Sequence, residues 1–457
     1  RRTLASTPPA HWRMHVRRNI SSRWYALQES LWFIPATMTA VAIILALVMV
    51  RIDQHLLLDR RLGSAWWLFG GGAEGARGVL SAIAGTMITV TGVVFSITIV
   101  ALQLASSQFS PRLLRNFTGD RGNQLVLGMF ISTFTYSLLV LRAVRSETDD
   151  FAVFVPSASV TLAIVLVIIS IGFLIFFVHH AARTMQASVI IDRTARETVK
   201  LIERLYPAEN QRSGIDQNAV VPVPPVHQLR TERGGYLQAL DMRALLACAE
   251  AANVTIQVEV RIGDFLLPGA QIASVWPASG QPAGTPEFQQ QVQDAFLLGP
   301  ERTMEHDAEL GFRQLADIAI KALSPGINDP TTAIICINRI GEALVTLGQR
   351  ERPELVHTGS DGAPRVVLTG HSFESFVRTA VAQIRHYGAD DATVAAHLAR
   401  MLGQIAEAVP ASLRGPLVDE TRLLMARVDS RAEIEADRQR VRQAGAWVLT
   451  EDSSRPA

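Results

Sequence analysis

A chain of 457 residues with 48% hydrophobic residues and a mean hydropathy of +0.20 is too long for one ordinary domain and too apolar for a purely soluble protein, so a membrane part is expected. Its 43 basic and 42 acidic residues leave a formal net charge of +1, which supplies no global field for nucleic acid, and no nucleic-acid partner is expected. The two cysteines, Cys248 and Cys336, lie in apolar helical runs with no second thiol at disulfide or metal spacing, and read as small buried residues.

The chain opens with a basic segment, 1–30, holding Arg1, Arg2, Arg13, Arg17, Arg18 and Arg23 with Trp12, Trp24 and Tyr25 among them. It reads as an interfacial stretch along the inner membrane surface, and no cleavable signal peptide is evident in it. Four runs follow at 31–50, 83–105, 125–141 and 160–178, each near the roughly 20 apolar residues that a bilayer core requires. The third is the weakest, interrupted by Ser132, Thr133, Thr135 and Ser137. Arginines on the N-terminal flank, after the second run (Arg112, Arg115, Arg121) and after the fourth (Arg183, Arg193, Arg196) place both termini in the cytoplasm, while Glu147, Asp149 and Asp150 suit an outer loop. Arg51, Arg60 and Arg61 in the first outer loop fit that rule less well.

On a helix through the second run, Gly85, Thr89, Gly92, Ser96, Gln103 and Ser107 follow steps of three and four residues, with the step near Ile99 skipped, and form one narrow small or polar stripe. Two readings stay open. The stripe lets another helix approach closely, or copies of it from several subunits surround a wetted axis, with Arg112 and Arg115 at the inner mouth. Such a lining lacks carboxylates, which favours anions. His179 and His180 close the fourth run; adjacent helical residues diverge by about 100° and do not share a metal, so they read as an interfacial pair.

A juxtamembrane helix and a Pro-rich linker with VPVPPV occupy 183–228. A small β module, 229–290, contains the alternating Val254, Ile256, Val258 and Val260, and turn pairs at Gly263-Asp264 and Pro268-Gly269. RIGDFLLPGAQIASVWP resembles half of a lipoyl- or biotinyl-type barrel-sandwich motif, but the carrier lysine is missing. The rest, 291–445, is mainly helical, with VVL at 366–368 in a candidate hairpin; Glu305-His306-Asp307 reads as a solvated helix start, and 446–457 as a disordered tail.

Within the helical part, Ser324, Pro325 and Gly326 stop one helix, and Asp329 followed by Pro330 caps the next. Asn328 is required by neither; it hydrogen-bonds within the turn, or presents its amide to an anion, a partner subunit or the membrane half. No phosphate loop, dinucleotide fingerprint, paired-cysteine zinc site or serine elbow is present, so no metal, cofactor or enzymatic activity is expected.

The stretches ALSPGINDPTTA, VTGVVFSITIVALQLASSQFSPR and GDF resemble the domain-of-unknown-function 2254 family of bacterial membrane proteins over nearly the whole chain. The resemblance implies four spans followed by a cytoplasmic domain and no particular activity. The fold class expected is an α-helical integral membrane protein with four transmembrane helices, then a mixed α+β, mainly helical cytoplasmic domain containing a small β module. The expected function is an oligomeric bacterial inner-membrane channel or channel-like transport protein, with lipid, copies of itself and an ion or small solute as partners. The alternative is a membrane-anchored scaffold or sensor whose cytoplasmic domain binds a protein or small ligand.

Overall fold

The computed structural model describes residues 32–56, 68–108, 120–146, 153–184, 186–207, 227–277 and 285–449. The chain divides into two compact units, Arg1–Gln186 and Ala187–Ala457. The N-terminal segment 1–30, Arg60, Arg61, the acidic residues of the third loop, the VPVPPV linker and the tail after residue 449 lie outside the described residues.

The first unit holds helices α1 (Phe33–Leu56), α2 (Ala73–Gln108), α3 (Arg121–Ala143) and α4 (Ser157–Thr184), all long and apolar enough to cross a membrane. The third span, weakest in sequence because of its hydroxyls, is the central helix. Of its apolar stretch 61% is buried, against 17% for α1 and α2 and 22% for α4. Thr133 hydrogen-bonds Ser170 of α4 at 3.1 Å, Ser137 donates to the Thr133 carbonyl at 2.8 Å, and the Tyr136 hydroxyl donates to the Ser159 carbonyl at 3.1 Å. Groups that lower hydropathy are thus tolerated because helices, not lipid, surround them. Leu80, Met87, Phe130, Val140, Val160 and Phe177 fill the contacts around α3. Gly128 permits the closest approach, since a Cβ there would meet Met38 Sδ at 2.5 Å and Pro35 Cα at 3.3 Å.

Both ends of α4 are tied to the other helices. Asp53 of α1, only 4% exposed, accepts from the backbone N–H groups of Ala158 and Ser159 at 3.0 and 2.9 Å and from the Ser159 hydroxyl. It therefore serves as a long-range cap for the free donors that begin α4. At the other end Asp120 caps α3 and pairs with His180 at 2.9 Å, while His180 stacks on Phe176. The sequence showed an interfacial histidine pair; only His180 has this built contact, and His179 is exposed.

The second unit begins with α5 (Ala187–Leu205). A five-stranded sheet follows, in the order β1 (His227–Arg230), β5 (Gln271–Pro277), β3 (Val254–Val258), β8 (Pro364–Val367) and β7 (Val356–Thr358). A three-stranded sheet has the order β4 (Phe265–Leu266), β2 (Gly235–Leu240) and β6 (Phe296–Gly299). Within the larger sheet only β3 and β8 pair in parallel. Val254, Ile256 and Val258, the alternating residues, face the core with Leu237, Leu245 and Val275 under α6 (Met242–Ala251) and α7 (Pro286–Asp294). The sheets take strands from beyond 229–290: β6 follows α7, and the β7–β8 hairpin arrives from within the helical stretch.

Helices α8 (Ala308–Ala322), α9 (Pro330–Gly348), α10 (Phe373–Gly388), α11 (Ala392–Ala408), α12 (Gly415–Arg431) and α13 (Glu435–Ala444) complete the unit. Asp241, Thr285, Asp307, Asp329, Ser372 and Asp391 cap α6 to α11 in turn, each side-chain oxygen accepting from a backbone N–H two or three residues ahead. Ile190, Ile191, Ala195, Leu201 and Ile202 are buried on the face that α5 turns to α8 and α9.

Candidate functional site

The α2 stripe is defined by what does not cover it. Ala76, Leu80, Ile83, Met87, Val94 and Thr98 are the buried side of α2, whereas Gly85, Thr89, Gly92, Ser96 and Gln103 are exposed. At about 100° per residue the two sets fall on opposite sides of the helix. Nothing lies within 4 Å of a Cβ built on Gly85 or Gly92. Large apolar side chains flank the stripe on both sides, Ile88 and Phe95 on one and Val93 and Val100 on the other, each 49–54% exposed. Among the described residues of the four-helix unit, no other helix packs against these five residues.

The hydroxyls and amide are unevenly satisfied. Thr89 donates to the Gly85 carbonyl at 2.8 Å, a common arrangement in apolar surroundings. Among the described residues, the Ser96 hydroxyl and the Gln103 amide make no hydrogen bond. The α2 backbone continues through Ser107, whose side chain lies outside the described part, as do Arg112 and Arg115.

The structure also lengthens the stripe. Gly78 and Ser81 are exposed and in line with it, and so is Glu74 in the first turn of α2. The stripe read from the sequence holds no carboxylate; its extension carries Glu74. The signal was available in the same three- and four-residue steps, but only the helix start at Ala73, well before the apolar run at 83–105, brings these residues onto the element. The 36 residues of α2 extend about 54 Å, against roughly 30 Å for a bilayer core.

The turn from α8 to α9 is built as its sequence requires. Ser324 accepts from the backbone N–H groups of Ile327 and Asn328 at 3.0 and 2.9 Å, and the Ala322 carbonyl accepts from Asp329 at 2.8 Å. Asp329 accepts from the Thr332 N–H at 3.0 Å and the Thr332 hydroxyl at 2.6 Å. That hydroxyl first, and the N–H with it, hold the carboxyl below its ordinary range. Pro330 occupies the first helical position without losing a donor. Asn328 has φ +49°, in the left-handed region. Among the described residues its amide makes no hydrogen bond, so its place in the turn follows from backbone conformation, for which Asn is second only to Gly. Pro325, Gly326, Ile327 and Asn328 are all exposed.

A second group was missed in sequence. Asp307, read as part of a solvated helix start, is 3% exposed. It caps α8 and is held by Arg302 at 2.7 and 2.9 Å, while Arg302 also reaches Glu309 at 3.1 Å. Glu309 accepts from the Thr379 hydroxyl of α10 at 2.7 Å. Burial pushes the Glu309 carboxyl up, but Thr379, His371 and Arg302 together outweigh it and keep it below its ordinary range. Gly263, at φ +98°, meets this group so closely that a Cβ would lie 2.6 Å from Asp307. The Gly-Asp-Phe turn is thus the point at which the sheets lean on the helical block. Glu305 and His306 are exposed, in keeping with the solvated reading. Cys336 is buried as expected, whereas Cys248 is half-buried beside Gln291.

Three apolar helices around a polar-centred α3, followed by a large α+β unit, define a multi-span membrane protein with a folded domain after its last span. The chain belongs to the predicted membrane protein family DUF2254, whose model matches residues 28–404. It is 34% identical over 387 residues to the uncharacterized proteins Rv1290c of Mycobacterium tuberculosis (strain ATCC 25618 / H37Rv) and Mb1321c of Mycobacterium bovis, an alignment covering 83% of this chain and 72% of each relative. No solved structure matches the chain.

Proposed function

We propose that this chain assembles into an oligomeric channel, or channel-like transport protein, of the bacterial inner membrane, with both termini cytoplasmic and the second unit serving assembly and gating. The observation that carries this reading is the direction of the α2 stripe: glycines, hydroxyls and one amide point away from the packed core, between two apolar flanks. Because α3 fills the middle of the four-helix unit, a hydrated path has to run between copies. A ring of copies with the stripe turned inward would leave Thr89, Ser96 and Gln103 facing a common axis. Glu74 at one end removes the bias toward anions, so the solute is a small hydrophilic ion of either sign. No residue is assigned a catalytic role.

The test is flux of potassium and chloride through vesicles containing the purified protein. Ser96→Leu and Gln103→Leu, both at exposed positions, should leave assembly intact and lower flux severalfold. Unchanged flux with normal assembly would remove both residues from the path, and a protein that stays monomeric in lipid would end the proposal. The scaffold-or-sensor reading has one observation in its favour, the uncovered Phe265, Leu267 and Leu297 around the small sheet, 56%, 65% and 40% exposed. On that reading the assembled protein has its α2 stripe wholly buried and carries no ions.

A further inference from the structure

Within the second unit, the two sheets and the helical block have separate interiors. The hydrophobic cluster of the sheets takes its side chains from the strands, from α6 and α7 and from adjoining loops, and none from α5 or α8 to α13. Among the described residues, three connections, 300–307, 349–355 and 368–372, join the two parts. The turn at 261–264 also reaches the edge of the block, and its contacts there are polar. Gly263, with φ +98°, sets its backbone against Arg302 and Asp307, so that a Cβ would lie 2.7 Å from the one and 2.6 Å from the other. The carbonyl of Ile262 lies 3.2 Å from Nε2 of His371, in the connection that leads to α10. A part joined by a few loop segments and held by polar contacts can swing without exposing a large apolar surface.

The contact of His371 fits one protonation state. A carbonyl only accepts, so Nε2 carries the proton of this bond. The other nitrogen, Nδ1, is buried and makes no hydrogen bond among the described residues, and the ring rests on Phe376 with centroids 5.5 Å apart. A second proton would place a donor at Nδ1 with nothing to accept it, a loss comparable to a broken hydrogen bond. The charged and titratable groups about the ring come from each neighbouring element. Glu309 of α8 interacts with the charge of His371, and Arg302 and Asp307 stand just before that helix. Tyr206, after α5, is kept neutral by burial and by the charges of Asp307 and Glu309, with Arg352 beyond it, while Arg261 and Asp264 are exposed in the turn. Arg302 is shared by Asp307 and Glu309, which leaves that trio with one negative charge in excess. A doubly protonated ring therefore has a carboxylate to pair with, Glu309, but one outside hydrogen-bond reach of Nδ1. To use it the ring has to turn off Ile262.

We propose that His371 and the 261–264 turn form a proton-operated latch, which holds the sheets against the helical block at neutral pH and lets them swing away in mild acid. Histidine is the side chain that changes charge between about pH 5 and 8, and the closed form accommodates only the neutral ring, so the latch is lost as pH falls. None of this depends on channel activity. The test uses the full chain in lipid nanodiscs with Cys248→Ser, while Cys336 is buried and stays unlabelled. Ala247→Cys on α6 and Gln404→Cys on α11, both exposed, carry spin labels, and labelled chain is diluted into unlabelled chain so that distances within one copy are read. Double electron–electron resonance should give a narrow distance at about pH 7.5 and one broadened and shifted by several ångströms at about pH 5.5. His371→Gln keeps a donor for the Ile262 carbonyl and cannot take a second proton; it should stay narrow at both. His371→Phe lacks the donor and should show the broadened distance at both. Identical distances for the unaltered His371 at the two pH values would overturn the proposal. So would a pH response that survives in His371→Gln, because the proton would then act on another group.

Discussion

Asn328 shows how a residue can be needed for its backbone and not for its amide. Its left-handed φ and unbonded side chain predict that Asn328→Gly leaves the thermal stability of the chain and its oligomeric state nearly unchanged. Asn328→Val, which forces a β-branched residue into the same conformation, should destabilise the second unit by about 1–2 kcal/mol. Differential scanning calorimetry on the two variants separates the cases. Loss of assembly in Asn328→Gly with stability intact would instead give the amide a partner. The sequence displayed the stop and the cap around this residue plainly, because proline, glycine and a capping aspartate act over two or three positions. It left two uses of Asn328 open, since φ is set jointly by the helices on either side.

At the scale of elements, what sequence shows depends on how far apart the interacting groups lie. The strand Val254–Val258 and the capped helices are local patterns and were legible, as were the four apolar runs. Asp53 was not: its partners are the N–H groups of Ala158 and Ser159, more than one hundred residues on, and its neighbours in sequence say nothing about them. Asp53→Ala leaves those donors and the Ser159 hydroxyl without their acceptor and should lower the stability of the four-helix unit by about 1–3 kcal/mol. Asp53→Asn, which can still accept, should recover part of the loss. Thermal unfolding in mild detergent measures both, and an unchanged midpoint for Asp53→Ala would show that the cap contributes nothing. The hydroxyls of α3 and the stripe of α2 make the same point from opposite directions. Both are polar runs in apolar helices, yet one set is buried at the centre and the other faces out. Periodicity identifies the stripe, and only the packing of the other helices shows which way it points. Asp307 was likewise hidden, since a salt bridge five residues back and a glycine turn some forty residues back bury it together.

For the whole molecule, the proposed channel rests on a stripe that no described residue of the four-helix unit covers. Hydrocarbon does not satisfy the Gln103 amide, and an amide left without a partner there costs on the order of 4 kcal/mol or more. In the proposed assembly a second copy or water supplies that partner, and a closed ring of copies supplies both. The measurement that bears most directly on this is the structure of the full chain in lipid nanodiscs. The account predicts a symmetric oligomer in which Thr89, Ser96 and Gln103 of every copy face a continuous water-filled axis. A monomer, or an oligomer in which those side chains are sealed between helices or turned to lipid, would contradict it.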